Sequence, residues 1–209
     1  VTGRLIAVDF TPKTKAKTLS APATVHTLLV KDSHAAKSAA YRLYCQASTL
    51  DENSHTWGYA EALYRRALTL DSTLAIALTN LGNIACKRGN GERAEVLYRE
   101  ALAIDPRQPE AHYNMGYVIL QRDDAEGSIP HFERALLYDP KFNDAHYNLA
   151  SALYESACGD RGHLERAREH FQIYVDRVPN GDWTDMAREH LKNLPAPTHT
   201  KKTRKKRTP

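Results

Sequence analysis

Small and bulky apolar residues recur along this chain in a helical register that renews itself at a near-constant interval of 34. Small side chains stand at Ala60, Ala94, Ser128 and Ala167, and four positions after each comes an aromatic ring, at Tyr64, Tyr98, Phe132 and Phe171. Three positions further on lie Ala67, Ala101, Ala135 and Tyr174. Spacings of four and three put all three side chains on one face of a helix. Each unit then closes at Ser72, Pro106, Pro140 or Pro179, the first three directly after Asp71, Asp105 and Asp139. Proline has no N–H to give and stops the helix before the next unit begins. The last interval is 39 rather than 34, which places five extra residues in the polar, glycine-containing stretch at 157–163.

The segment before each of these helices carries a second signature. In units two to four a bulky residue precedes a small one, as Leu81-Gly82, Met115-Gly116 and Leu149-Ala150, and two helices are expected to pack closely there. Each unit is therefore predicted to be a helical hairpin, with a helix A and a helix B. The first unit departs from this. Its helix B fits over 59–70, but its helix A, expected over 35–48, lacks the bulky–small pair and is followed by a polar insert at 50–56. Pro130 removes a backbone donor early in the third helix B and is expected to start that helix late or bend it. Residues 182–194, with Trp183, Ala187, Leu191 and Leu194 at helical spacing, read as a solvent-facing cap.

The 34-residue period, the Leu-Gly pair in helix A and the Ala, Tyr/Phe, Ala, Pro series in helix B resemble the tetratricopeptide repeat family. The resemblance covers about residues 37–180. It implies an all-α helical-hairpin solenoid of about four repeats plus a C-terminal capping helix. The expected organisation is a non-repeat segment at 1–36 and repeats at 37–72 (divergent), 73–108, 109–142 and 143–180. A capping helix at 181–195 and a basic tail without fixed structure at 196–209 complete it. Within 1–36, residues 4–10 and 23–30 are expected as short strands joined by a Lys-, Thr- and Pro-rich linker. Residues 2–10, the repeat array and Asn180-Gly181-Asp182-Trp183 also resemble the C-terminal part of bacterial MerR-type regulators that join a helix-turn-helix to such repeats. No helix-turn-helix is present here. That likeness implies an alternative role, as a transcription-regulatory or nucleic-acid-associated protein whose repeats recruit or sense a partner. The chain begins at Val1 rather than Met, as a processed form or a fragment would.

Composition narrows the chemistry. With 42% hydrophobic residues, the chain holds no apolar run near the roughly 18 residues of a membrane span. Cys45, Cys86 and Cys158 are widely spaced and odd in number, so neither a disulfide framework nor a CxxC zinc pair is expected, and a reducing, cytoplasmic setting fits. The net charge of +4 is a sum of unlike parts. Residues 201–207 carry six positive charges on Lys201, Lys202, Arg204, Lys205, Lys206 and Arg207, whereas 37–200 hold 18 basic and 23 acidic residues. The tail could meet the phosphates of a nucleic acid or an anionic surface, or serve only solubility. It could also lie in the chain's own acidic groove.

A hairpin array leaves helix A to line a concave groove, so partner-binding residues should recur there. Asn80, Asn114 and Asn148 do so at intervals of 34. An amide is donor and acceptor together, and a ladder of amides can bond an extended peptide without reading its side chains. Similar ladders line the repeat domain of O-GlcNAc transferase, which is what the resemblance implies here. The alternative is an asparagine that is merely solvated or bonded to a neighbouring helix. Beside the ladder lie Tyr113, Tyr117, Tyr147 and Tyr154, with Asn83 and Lys87 from repeat two and Glu110, Asp144 and Glu155 from repeats three and four. Each tyrosine reads equally as ligand contact or as packing between repeats. The acidic excess favours a neutral or basic peptide. Co-chaperone repeats need basic residues on successive A helices to clamp a carboxylate, and the first such place holds Thr79, Tyr113 or Tyr147. His112 and His146 share one repeat position and read as structural; His163 and His170, among Glu165 and Glu169, read as a solvated face. There is no phosphate-binding glycine loop, HExxH, GxSxG or CxxC, and no catalytic residue, cofactor or metal is expected.

Overall fold

The computed structural model describes residues 34–196, and among them all regular structure is helical. The helices are α1 (His34–Ser48), α2 (Trp57–Leu70), α3 (Ala75–Lys87), α4 (Gly91–Ile104), α5 (Pro109–Leu120), α6 (Ala125–Tyr138), α7 (Asn143–Ser156), α8 (Arg161–Arg177) and α9 (Asp182–Asn193). A 3-10 turn at Ser54–Thr56 leads into α2. Helices α1 to α8 pair into four A–B hairpins, each B helix packs on the next A helix, and α9 lies on α8 where a fifth A helix would stand. Successive A helices also approach one another, α3 with α5 and α5 with α7, so the A helices line the inner side of the solenoid. The strands expected within 1–36 and the basic tail lie outside the described residues.

The sequence sets the helix ends by repeated local chemistry. Asn90, Asp124 and Asp160 cap α4, α6 and α8, accepting from the backbone N–H of Arg93, Gly127 and Gly162. At the end of α2, α4 and α6, the N–H of Asp71, Asp105 and Asp139 closes the last helical turn onto Ala67, Ala101 and Ala135. The same aspartates then turn the chain, each carboxylate accepting from the N–H two residues on, at Thr73, Arg107 and Lys141. Between α3 and α4 the left-handed position is Gly89 (φ 79°), and at the equivalent place one repeat later, between α5 and α6, it is Asp123 (φ 61°). Pro130 neither delays nor ends α6, which starts at Ala125 and runs through it. Pro130 is exposed and Asp124 already anchors the helix start, so the missing N–H costs only one bond near the end of the first turns.

The predicted B-helix series forms the core. Ala60, Ala94, Ser128, Ala167, Tyr64, Tyr98, Phe132 and Phe171 are all fully buried. Tyr98 and Phe132 lie against the glycine of their own A helix. A Cβ on Gly116 would sit 2.9 Å from the Phe132 ring, and one on Gly82 would meet Tyr98. One apolar cluster runs from α1 to Ala111 at the start of α5 and a second through α5 to α9, with Ala94, Tyr98, Met115 and Val118 packed between. The cap buries Ala187 and Leu194 and brings Trp183 against Tyr147, while Asp182, Asp185, Arg188, Glu189 and Lys192 face outward. A charged outer face on the last helix ends the stack.

Candidate functional site

The inner side of the A helices is a grid. Ile76, Thr79, Asn83 and Lys87 fall on one stripe of α3, at steps of three and four residues. Offsets of 34 carry that stripe to Glu110, Tyr113, Tyr117 and Gln121 on α5, and to Asp144, Tyr147, Ser151 and Glu155 on α7. Its middle rows are closed except at Tyr117: Thr79, Asn83, Tyr113, Tyr147 and Ser151 are buried and Tyr117 is half-buried. Its two rims are open. Ile76, Glu110 and Asp144 are half-buried along one, and Lys87 is half-buried with Gln121 and Glu155 exposed along the other.

Asn80, Asn114 and Asn148 do not form a free ladder in this groove. They are 1%, 0% and 1% exposed, turned one residue away from the stripe and into the stack. Asn80 donates to the Tyr64 hydroxyl at 2.8 Å, and Tyr64 in turn donates to Asp51 at 2.5 Å. Because the phenol proton goes to Asp51, the phenol oxygen must accept, which fixes the NH2 side of Asn80 toward it. Asn114 donates to Asn83 Oδ1 at 2.7 Å, where the Tyr98 hydroxyl also donates, and Asn148 donates to the Tyr113 hydroxyl at 2.7 Å. These bonds link one hairpin to the next. The amide NH2 groups are therefore committed to the fold, and only Oδ1 of each asparagine remains without a protein partner. The reading of asparagine bonded to a neighbouring helix is the one the geometry matches.

The tyrosines divide. Tyr113 and Tyr147 are packing residues, the first against Phe132 and Phe142, the second against Phe171, Tyr174 and Trp183. Burial pushes the Tyr147 phenol up to about 12. Tyr117 and Tyr154 keep part of their rings exposed, and Tyr154 meets the His190 ring edge-on at 5.0 Å. Lys87 reaches the Asp51 carbonyl at 3.4 Å. At Thr79, one of the places a chaperone clamp would want a cation, the buried hydroxyl donates to Gln108 Oε1 at 2.5 Å.

Two carboxylates on the rims are out of balance. Burial raises Glu110 above the usual carboxylate range, and the charges of Asp139 and Asp105 raise it further. Partial desolvation raises Glu155 although its side chain is still exposed, with His190 opposing and Asp123 adding to it. Both sites would gain from an incoming positive charge. Clefts open between hairpins two and three at both ends of α5. One, of about 460 Å³, has Ile76, Asp105, Arg107, Gln108 and Glu110 on its walls. The other, of about 410 Å³, has Cys86, Tyr117, Gln121 and Arg122. Gln121 had not been singled out from the sequence, and Cys86 only in the cysteine count. Gln121 stands one repeat after Lys87, so the repeat register could have found it.

His170 is not a solvated residue. Its Nδ1 lies 2.8 Å from Nδ1 of His146, across the fourth hairpin. Among the described residues no three His, Cys, Asp or Glu side chains gather as a metal site would require. Nor, among them, is any helix long and apolar enough to cross a membrane.

Residues 82–122 match the family model described as TPR repeat, and residues 113–182 match the model described as tetratricopeptide repeat. No curated protein sequence matches the chain. Among solved structures it is similar to a mutant of the Thermobaculum terrenum O-GlcNAc transferase, with 25% identity and a TM-score of 0.59 over 70% of this chain. The match spans only 27% of that enzyme's chain. It is also similar to YrrB, described as a TPR protein with an unusual peptide-binding site (20% identity, TM-score 0.54, 78% of this chain and 79% of that one). A double mutant of MamA RS-1 is similar in fold as well (19% identity, TM-score 0.58, 74% of this chain and 91% of that one). These matches lend no support to the MerR-type likeness.

Proposed function

We propose that this chain, a tetratricopeptide-repeat protein, is a non-catalytic scaffold that receives a segment of a partner protein along the inner side of its A helices. The carrying observation is the placement of two carboxylates, Glu110 and Glu155, on opposite rims of a groove floored by the buried side chains of Thr79, Asn83, Tyr113, Tyr147 and Ser151, where desolvation raises both acids. A segment with Lys or Arg side chains at both edges would relieve both, while its apolar part lies on Tyr117, Tyr154 and Ile76. Lys87 shares the rim of Glu155 two repeats away, so it repels a cation there and sets which end of the segment lies at Glu155. Asn80, Asn83, Tyr113, Asn114, Tyr147 and Asn148 act beneath this surface by holding the helices in register. The peptide-binding description of YrrB, similar in fold, agrees in kind with this role.

Fluorescence anisotropy with labelled peptides of Lys/Arg-rich, neutral and Asp/Glu-rich composition tests the reading. The basic peptide should bind tightest. The Tyr117→Ala, Tyr154→Ala, Glu155→Gln triple variant should weaken it at least about tenfold with helical content unchanged. Equal binding by the folded variant, or a preference for the acidic peptide, would refute it. The six charges at 201–207 favour a second, separate activity toward polyanions. Deleting residues 201–209 should then lower duplex-DNA affinity and flatten its salt dependence; unchanged affinity across the salt series would dismiss it.

A further inference from the structure

Two hairpins carry the same pair of histidines. His112 and His146 occupy equivalent places on α5 and α7, one repeat apart, and His131 and His170 occupy equivalent places on α6 and α8, each directly before Phe132 or Phe171. The interval between the latter two is longer, because the five-residue insertion falls between them. In the third hairpin the ring centroids are 6.2 Å apart, and in the fourth 5.0 Å.

Hydrogen bonding fixes the protons. His146 Nε2 lies 3.2 Å from the Pro140 carbonyl and His112 Nε2 lies 2.9 Å from the Pro106 carbonyl. A carbonyl only accepts, so in both residues Nε2 carries the proton and Nδ1 of the neutral ring is bare. In the fourth hairpin the bare Nδ1 of His146 accepts, and His170 must donate from its Nδ1, leaving its own lone pair at Nε2. In the third hairpin Nδ1 of His112 and Nδ1 of His131 are both buried without a protein partner.

We propose that the His112–His131 and His146–His170 pairs are two acid-sensitive contacts, or clasps, between helix A and helix B, which persist while the imidazoles are neutral and loosen when both rings of a pair are protonated. The contact is ring beside ring in the third hairpin and hydrogen-bonded in the fourth. Each clasp has room for few charges. His112 and His131 face Asp105 and Glu95 but also Arg134, and Tyr138 stacks on His112 at 5.8 Å. His146 and His170 face Asp139 on one side and Arg177 and Arg166 on the other. Arg177 is held at the Pro140 carbonyl and Arg166 at Glu133, so the guanidinium groups stay in place. A first extra proton on the fourth-hairpin pair enters at His170 Nε2, making a cation among those arginines. A second, on His146 Nδ1, removes the acceptor and sets two cations against each other.

The direction of the titration agrees. Burial, then the partner imidazole, then the nearby arginine push His131 and His170 from 6.5 down to about 4, and burial lowers His112 and His146 as well. The unfolded chain takes up these protons near 6.5 and the folded chain resists them. Stability from the pairs is therefore complete above about pH 6.5 and is lost as the pH falls from there toward about 4.

The test is urea unfolding of the full chain at about pH 7 and pH 5.5, a window above the range where ordinary carboxylates titrate. The unfolding constant should rise about tenfold per clasp in the native sequence. In the His131→Asn, His170→Asn double variant, which keeps a donor and an acceptor but cannot be protonated there, most of that rise should vanish. If the variant does not fold, the imidazole ¹⁵N resonances of the native chain decide the matter. His131 and His170 titrating well below 6.5, with His146 protonated at Nε2, support the clasp. Ordinary titration of both residues, or an equal pH response in the folded variant, overturns it.

Discussion

At one repeated slot the early hairpins are tied to the next by a glutamate that holds two arginines, whereas the third hairpin is packed there by an apolar side chain. The third hairpin's remaining ion pair, Glu133 with Arg166 of α8, lies elsewhere. Glu61 on α2 holds Arg65 at 2.7 Å and Arg88 at 2.8 Å, and one repeat later Glu95 on α4 holds Arg99 at 2.5 Å and Arg122 at 2.6 Å. One further period on, the glutamate's place is taken by Ile129, which is buried in the apolar cluster of α5 to α9. The same slot thus does two kinds of work. An exposed ion pair contributes only about 0–1 kcal/mol, because solvent screens it and both side chains must be ordered. Burying an isoleucine contributes about 1.5–3 kcal/mol. At this slot, therefore, the C-terminal half relies on packing and the N-terminal half on exposed polar bonds.

The largest expected effect lies in the packed half. Phe132 is fully buried, touches the Tyr113 ring and fills the space left by Gly116. Phe132→Ala should cost about 3–5 kcal/mol of stability, measured by urea unfolding. Hydrogen exchange should show lost protection in α5 to α9 before α1 to α4. Equal loss across all helices would mean that the two halves unfold as one unit and that their difference has no energetic meaning.

In the polar half the corresponding change is smaller. Tyr64→Phe removes one oxygen but takes a hydrogen bond from each of two buried partners, the Asp51 carboxyl at 6% exposure and the Asn80 amide at 1%. Such losses at buried polar groups cost about 1–3 kcal/mol in all. Tyr98→Phe, which takes one hydrogen bond from Asn83 Oδ1 while the Asn114 bond to the same oxygen stays, should cost less. Unfolding measurements on both variants check that order, and a reversed order would mean that the Asp51–Tyr64–Asn80 chain carries little of the polar weight.

These contrasts explain which features could be read from the sequence. The hairpins, the small–aromatic–small core and the capping helix all follow from spacing along one helix, and spacing is what a sequence displays. The rotation of each helix about its axis is not displayed. Asn80 stands one position, about 100° of turn, from the groove stripe through Thr79 and Asn83, and only packing decides that it points at Tyr64. His170 was hidden differently. It lies on a helix rich in Arg and Glu, and its equivalence to His131 shows only after five inserted residues are taken out of the count. Of the residues named beside the ladder, Glu155 lies on the open rim of the stripe, Tyr117 within the stripe and Tyr154 one position off it, and all three keep part of their side chains exposed.

The smallest effect tests the ion pairs themselves. Burial pushes the Glu95 carboxyl up, but the Arg122 hydrogen bond and the charges of Arg122 and Arg99 outweigh it, and the net shift is downward. A lowered carboxyl stabilises the fold above its ordinary range and loses that contribution as the pH falls through and below it. This acid loss lies below the window in which the histidine pairs let go, so the two halves should weaken at different pH. Glu95→Gln keeps the shape and removes the charge. It should cost less than about 1 kcal/mol at low salt and almost nothing at about 1 M salt, where exposed charges are screened within a few ångströms. A cost that survives high salt would mean that Glu95 acts through packing, as Ile129 does, and would erase the distinction between the halves at the one slot where they can be compared residue for residue.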